Sequence, residues 1–365
     1  MRRKRSGSRA EMRRALLLFC GSLLAGCAVG PDYEAPDLTA ETPEDWHMDA
    51  SYRDFEGTAA GDIAWVEIFR DPDLQTVVNL ALQNNRDMLI ALERIDEARA
   101  RSRIARARLF PEVDAALRGE REEESELTND DPEKADEIFT GLELAWELDM
   151  WGALRRSSRA GFAEYLASEY AAQAVRLSLV AEVSRAYFEL QGVDSRLRIN
   201  QATLQSRERA LEIAEKRFTG GLTSKLEVKQ SEVELASTRA SIPKVAQRKL
   251  EVENELAVLV GSPPRHLVPT LKLEEQYVPS RVVPGLPSEL LRRRPDVIQA
   301  EQALVAASER VGVAVAGLYP SFRLTGALGY ETDDFGEFLD DDGEWWIGRF
   351  DVVMPLFNAG ARRAR

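Results

Sequence analysis

One residue in this sequence sits in a context that calls for covalent chemistry. Cys27 closes the run Leu24-Ala25-Gly26-Cys27 after an apolar stretch from Ala15 to Ala25. Before that stretch, Arg2, Arg3, Lys4, Arg5, Arg9, Arg13 and Arg14 stand against a single acid, Glu11. Basic, then apolar, then small residues make a secretory signal, to be excluded from fold reasoning. The last four residues look like a bacterial lipobox, in which the cysteine thiol is acylated and becomes the first mature residue. An ordinary buried thiol is the plainer reading of Cys27, but the four-residue context favours lipidation. Met12 opens a compact signal by itself, and Ala28 stands where an aspartate would favour inner-membrane retention. Loss of residues 1–26 removes seven bases and one acid, taking the formal charge from −14 to −20. Cys20 leaves with the signal, so no disulfide forms within the mature chain.

Other candidates for chemistry are weaker. His47 and His266 lie in irregular, proline-flanked segments with no nucleophile motif beside them, and no phosphate-binding glycine loop or paired-cysteine motif occurs. Two histidines and two cysteines are too little material for a histidine-based metal site or a zinc ribbon. Glu143, Glu147 and Asp149 form a carboxylate cluster, yet they alternate with apolar residues and read as one face of a strand. The expectation is no enzyme, no metal and no cofactor. A charge of −14 in 365 residues argues against an electrostatic nucleic-acid partner. Outside the leader no apolar run reaches the roughly 18–20 residues of a membrane-spanning helix.

The carboxylates belong to an alternating pattern. Ile138, Thr140, Leu142, Leu144, Trp146 and Leu148 fall on one face, with Glu143, Ala145, Glu147 and Asp149 on the other. Val113, Ala115 and Leu117 similarly oppose Glu112, Asp114 and Arg118. Phe322, Leu324, Leu328 and Tyr330 oppose Ser321, Arg323 and Thr325, and Trp346, Phe350, Val352 and Met354 oppose Arg349 and Asp351. Each run is about 10 residues, the length of a tilted transmembrane strand. A half-buried antiparallel sheet of a soluble domain gives the same alternation. The Cys27 anchor, the aromatic residues near strand ends and the repetition of the hairpin tip the reading toward a membrane. Four strands cannot close a barrel and lipid does not tolerate open edges, so a membrane reading requires several chains sharing one barrel. Glu143, Glu147, Asp149, Arg323, Arg349 and Asp351 would then line its lumen.

The strands are positioned by a repeated unit. Asp87 to Pro111 realigns with Asp296 to Pro320 at a constant offset of 209, and Met150-Trp151-Gly152 with Arg155 answers Leu356-Phe357, Gly360 and Arg363. This is a tandem duplication in which each half reads helix, strand, turn, strand, helix. Asp71-Pro72 marks the first helix start, and Leu74, Ala81, Met88 and Ile95 follow at intervals of seven. Leu290, Val297, Leu304, Val311 and Leu318 repeat the rule. Residues 153–218 contain no proline, predicting a helix of about 65 residues and roughly 100 Å. Leu190, Leu197, Leu204, Leu211 and Phe218 run along its distal half, and the chain turns at Thr219-Gly220-Gly221-Leu222-Thr223-Ser224. A return helix to about Val260 carries Val245, Val252 and Leu259. Repeats of seven imply left-handed supercoiling against partner helices.

The resulting boundaries are 1–26 signal, 27–70 lipid-anchored segment, 71–261 first repeat, 262–287 proline-rich linker and 288–365 second repeat. Six prolines mark the linker, and the hairpin loops are acidic: Glu120 to Glu137 holds ten acids and Glu331 to Glu344 eight. Solvated surface loops explain them; a cation-attracting mouth or a divalent-ion bridge to lipopolysaccharide is the functional alternative.

Several blocks together resemble the outer-membrane factor family, the TolC-like efflux channels, and its NodT/OprM-like lipoprotein branch. They are the lipobox, Phe69-Arg70-Asp71-Pro72-Asp73-Leu74, Asn84-Asn85-Arg86-Asp87, Ala107-Arg108-Leu109-Phe110-Pro111, Ala145-Trp146-Glu147-Leu148-Asp149, Leu286-Pro287-Ser288-Glu289-Leu290-Leu291 and Arg293-Arg294-Pro295-Asp296. The resemblance implies an α+β membrane fold with long coiled-coil hairpins and four transmembrane strands per chain. It further implies a homotrimer with a twelve-stranded outer-membrane barrel above a twelve-helix periplasmic tunnel. Such a channel passively exports small molecules when docked to a periplasmic adaptor (membrane fusion) protein and an inner-membrane resistance-nodulation-division pump. The adaptor-contacting tip maps to Phe218, Gly221, Leu222 and Ser224.

The pattern departs from the family at its end, where about 105 residues of a second long hairpin are expected by comparison with the first half. On that count the sequence reads as an incomplete copy that neither closes a tunnel nor seals a gate. A type I protein-secretion channel shares the architecture, and a periplasmic coiled-coil scaffold is the reading from another class. The repeated strands favour a channel over the scaffold.

Overall fold

The computed structural model describes residues 28–37, 43, 60–123, 134–264, 266, 268–277, 287–333 and 343–364. Cys27 and the signal, most of both acidic loops, His47 and much of the proline-rich linker lie outside the described residues. The described chain forms helices α1 (Trp65–Ile68), α2 (Pro72–Asn84) and α3 (Arg86–Ala107), strands β1 (Glu112–Glu123) and β2 (Lys134–Leu148), then helices α4 (Ala153–Thr219) and α5 (Lys225–Val260). Helices α6 (Pro287–Arg293) and α7 (Pro295–Ala316) and strands β3 (Ser321–Thr332) and β4 (Glu344–Val353) follow. Two compact units result: Met1–Pro36, Asp96–Ala167 and Ala300–Arg365 make the first, Asp37–Ile95 and Ser168–Gln299 the second. Each draws on both halves of the sequence repeat. Among the described residues, no helix is long and apolar enough to cross a membrane.

The first unit is built on one antiparallel sheet in the order β1-β2-β3-β4. Its register pairs Glu112 with Ala145, Leu148 with Phe322, and Ser321 with Val353. Helix α7 buries Ala306, Glu309, Gly312 and Ala316. Leu304, Val311 and Leu318 of the expected stripe are 51%, 50% and 42% exposed within the single chain. The small residues, not the large ones, form the close-packed side.

The second unit packs α2, the middle of α4 and the end of α5 around Leu74, Val78, Val183, Tyr187, Leu190, Val252 and Leu256. Asp71 caps α2, its carboxylate accepting the N–H of Asp73 at 2.8 Å and of Leu74 at 3.3 Å, with Pro72 at the first helical position. Beyond the core, α4 and α5 run antiparallel as a hairpin joined by ion pairs from Arg185–Glu255 through Lys249–Asp194 to Arg207–Glu234 and Arg239–Glu208. These pairs are exposed or partly so and contribute little each; the apolar seam supplies the pairing. Helix α4 has 67 residues, about 100 Å, while α5 has 36, about 54 Å. The hairpin therefore occupies only the distal half of α4.

The single helix expected after Asp71 is two helices broken at Asn85. Its ψ of 132° is extended, its side-chain oxygen accepts the Met88 N–H at 3.0 Å, and its amide donates to Leu259 O at 2.9 Å. At the offset of 209 stands Arg294, where the second copy also breaks, before Pro295. The stripe Leu74, Ala81 and Met88 stays buried across the first break.

Candidate channel wall and hairpin tip

Directly paired residues of an antiparallel sheet point to the same face, so the register assigns every side chain. One face carries Val113, Leu117, Leu142, Leu324, Leu328, Trp346, Phe350 and Val352, all exposed. An apolar sheet face left in the open is unusual for a soluble domain and is what lipid contact requires. The opposite face brings together Glu143, Glu147, Arg323, Arg349 and Asp351, five of the residues singled out from the sequence. Arg118, which alternation placed on this face but did not single out, forms a two-pronged ion pair with Glu143. Arg323 stands between Glu147 and Asp351 in the register, so acids and bases are interleaved across the strands.

Aromatic residues collect at both sheet ends. Near the helices, Trp151 lies 4.9 Å from Tyr319 and 6.5 Å from Phe322 between ring centroids, and Phe322 lies 6.3 Å from Phe350. The Trp151 indole donates to Pro320 O at 2.7 Å. Near the loops, Phe139 meets Trp345 edge-on at 5.6 Å. The band at the helix end includes Phe322 and Phe350 of the apolar face, as an interfacial girdle would, whereas Phe139 and Trp345 stand on the charged face, beside Arg118 and Glu331 in the register.

Asp149 is a correction. It follows the last residue of β2, and its carboxylate accepts the backbone N–H of Leu154 and Arg155, both at 2.9 Å, and the Arg155 guanidinium at 3.1 Å. It satisfies two of the orphan donors that open α4, and so secures the strand-to-helix junction instead of continuing the charged face. Alternation carried one residue too far along the chain caused the misreading. Replacing Asp149 with Ala should cost about 1–2 kcal/mol, read as a lower midpoint in thermal unfolding with the strand signal retained to the transition.

At the far end of α4 backbone hydrogen bonds close the turn. Gly221 N–H donates to Phe218 O at 3.0 Å and Leu222 N–H to Arg217 O at 2.8 Å, with Gly221 at φ +71°. This is the left-handed helix ending that glycine adopts without strain. Phe218 and Leu222 are 44% and 75% exposed, and the Ser224 side chain makes no capping bond to α5. Instead the Thr223 hydroxyl donates to Glu227. The four expected tip residues are thus brought together in one exposed, partly apolar reversal. No group of three or more potential metal ligands occurs among the described residues.

The family model for outer membrane efflux proteins matches residues 77–262 and 286–365. The antibiotic efflux pump outer membrane protein ArpC of Pseudomonas putida is 31% identical over 348 residues, covering 94% of this chain and 71% of that protein. The outer membrane protein OprJ of Pseudomonas aeruginosa is 32% identical over 351 residues, covering 95% and 72%. The solved open state of the MtrE outer membrane channel of Neisseria gonorrhoeae superposes with a TM-score of 0.82 at 28% identity, covering 93% of this chain and 74% of that one.

Proposed function

The chain belongs to the outer membrane efflux protein family, and from that premise we propose that three copies pool their strands into one barrel through which small molecules leave the cell. It is an outer-membrane efflux component, which we read as lipid-anchored through Cys27. The observation that carries the reading is the sheet: apolar and exposed on one face, ion-paired on the other and, among the described residues, open at both edges. Lipid has no water to satisfy an open edge, and four strands fall short of the roughly eight a barrel needs. Three chains give twelve. The interleaved face, with Glu143, Glu147, Arg323, Arg349 and Asp351, then lines an aqueous lumen. Nothing in such a wall performs chemistry, so we read the chain as a passive duct and not an enzyme.

The tip formed by Phe218, Gly221, Leu222 and Ser224 is the surface we assign to a periplasmic adaptor, which couples the duct to an inner-membrane pump. Exposed apolar residues on a rigid reversal suit docking, since no loop must be ordered on binding. Relatives described as efflux proteins favour small-molecule export over protein secretion. The test uses protein from its own outer membrane and a cell lacking the chromosomal copy. Leu222→Arg should raise intracellular accumulation of an exported dye severalfold while outer-membrane trimer levels stay constant. Unchanged export in that variant would remove the tip from the docking surface; absence of trimers in native membranes would remove the barrel.

A further inference from the structure

Residues 28–33 lie in a seat made by the ends of β2, α4 and α7. Val29 N–H donates to Trp151 O at 3.0 Å. The Arg156 guanidinium donates to Gly30 O, Pro31 O and the Asp32 carboxylate, each at 3.0 Å, and to Glu309 at 3.1 Å. Arg159 holds the other oxygen of Glu309 at 3.2 Å. Arg156 is only 1% exposed, whereas Asp32 is 82% exposed, so the carbonyl bonds lie inside and the Asp32 pair at the rim. The seat admits backbone only. A Cβ on Gly312 would fall 2.2 Å from Arg156 Cδ, one on Gly30 2.7 Å from Gly312 Cα, and one on Gly152 2.7 Å from the Ala28 Cβ.

Burying a guanidinium carries a desolvation cost that only well-placed partners offset. Here three of the four partners belong to an irregular segment that begins one residue after Cys27. We infer that Arg156 is the positioning residue of the lipid anchor: it captures the carbonyls of Gly30 and Pro31 and the carboxylate of Asp32, so that a lipid on Cys27 leaves the protein beside the Trp151, Tyr319 and Phe322 band. The inference rests on acylation of Cys27. A free segment of ten residues would let the anchor wander over about 17–19 Å, more than half the roughly 30 Å hydrocarbon thickness. With Val29 held on Trp151, the seat reduces that to two peptide units, at most about 7–8 Å, at the level where interfacial aromatics sit.

Glu34 is exposed and lies just past the seat, so digestion of the full-length protein in lipid vesicles with a glutamate-specific protease reads capture directly. Arg156→Lys keeps a charge for Glu309 but loses the fork that spans two carbonyls and a carboxylate. It should speed cleavage after Glu34 about tenfold, with cleavage elsewhere unchanged. Gly30→Val alters the segment and leaves every helix intact, and should do the same even where Arg156→Lys fails to fold. Cleavage at the wild-type rate in Gly30→Val, or an equal rise at all sites, overturns the assignment. The mass of the released N-terminal peptide is a separate readout: an unacylated Cys27 in native protein overturns the anchor reading while leaving the seat itself measured.

Discussion

Arginine in place of Leu328 should keep the chain from assembling in the outer membrane, whereas arginine at the adjacent Ala327 should not. The two residues are neighbours on β3 and point to opposite faces: Leu328 lies with Leu142 and Trp346, Ala327 with Glu143 and Ile347. A lipid-facing arginine near the bilayer midplane costs about 2–4 kcal/mol, and the same group in an aqueous lumen costs little. Three chains in one barrel repeat the penalty three times. At position 327 the new guanidinium would stand beside Glu143, already paired with Arg118. The measurement is the amount of heat-resistant trimer in outer-membrane fractions, together with refolding yield into vesicles. Loss for both variants, or for neither, would mean that the two faces do not meet different solvents.

The second large effect is expected at Asp71. It is 3% exposed, caps α2 through one oxygen and accepts the Tyr187 hydroxyl through the other at 2.9 Å, where the Gln276 amide also donates. Asp71→Ala removes the cap, about 0.5–2 kcal/mol, and strands the hydroxyl of Tyr187, itself 1% exposed, at about 1–3 kcal/mol more. A loss of about 1.5–5 kcal/mol in denaturant unfolding should follow. Tyr187→Phe should lose only about 1 kcal/mol, because Asp71 keeps its cap and its Gln276 partner.

The same pair sets an alkaline limit. Burial, and then the hydrogen bond and charge of Asp71, push the Tyr187 phenol well above its ordinary value. The folded chain therefore keeps a proton that the unfolded chain releases near pH 10. Stability from this bond is complete below that pH and falls as pH rises beyond it. Tyr187→Phe should flatten the alkaline limb of the stability profile, and an unchanged limb would assign the loss to other groups. Asp73 behaves oppositely: the Thr270 side chain and then its N–H, the latter donating at 2.7 Å, lower its carboxyl, so its contribution is present above about pH 4 and disappears in acid.

What was legible in the sequence follows from the range of the physics involved. Strand alternation is a property of neighbouring residues, so the faces of β1 to β4 and their charged residues could be assigned from spacing. The cap at Asp71-Pro72 is equally local, as is the glycine reversal at Gly221. A helix break at Asn85 was hidden because two helices can keep one apolar stripe in phase, and the bond to Leu259 that fixes the break spans 174 residues. The Arg156–Glu309 pair spans 153 residues and has no periodicity to betray it. Only the Arg155-Arg156 doublet behind Trp151-Gly152 hinted at it, and that reading stopped at Arg155. The exposed Leu304, Val311 and Leu318 show the converse limit: spacing identifies an apolar face but not which neighbour covers it.

The unpaired outer edges of β1 and β4 carry a genetic consequence. A sheet that must be completed by other copies cannot rest in the membrane as a monomer, so insertion and assembly are one event. In the proposed ring of three, each head-to-tail junction would join β4 of one copy to β1 of the next. One defective copy then spoils the whole ring. In a cell making normal and insertion-defective chains in equal amounts, with random mixing, only about one ring in eight would be wholly normal. Edge and lipid-face alleles should therefore be dominant over a wild-type copy. Alleles at the hairpin tip, which leave the ring intact, should be diluted more gently.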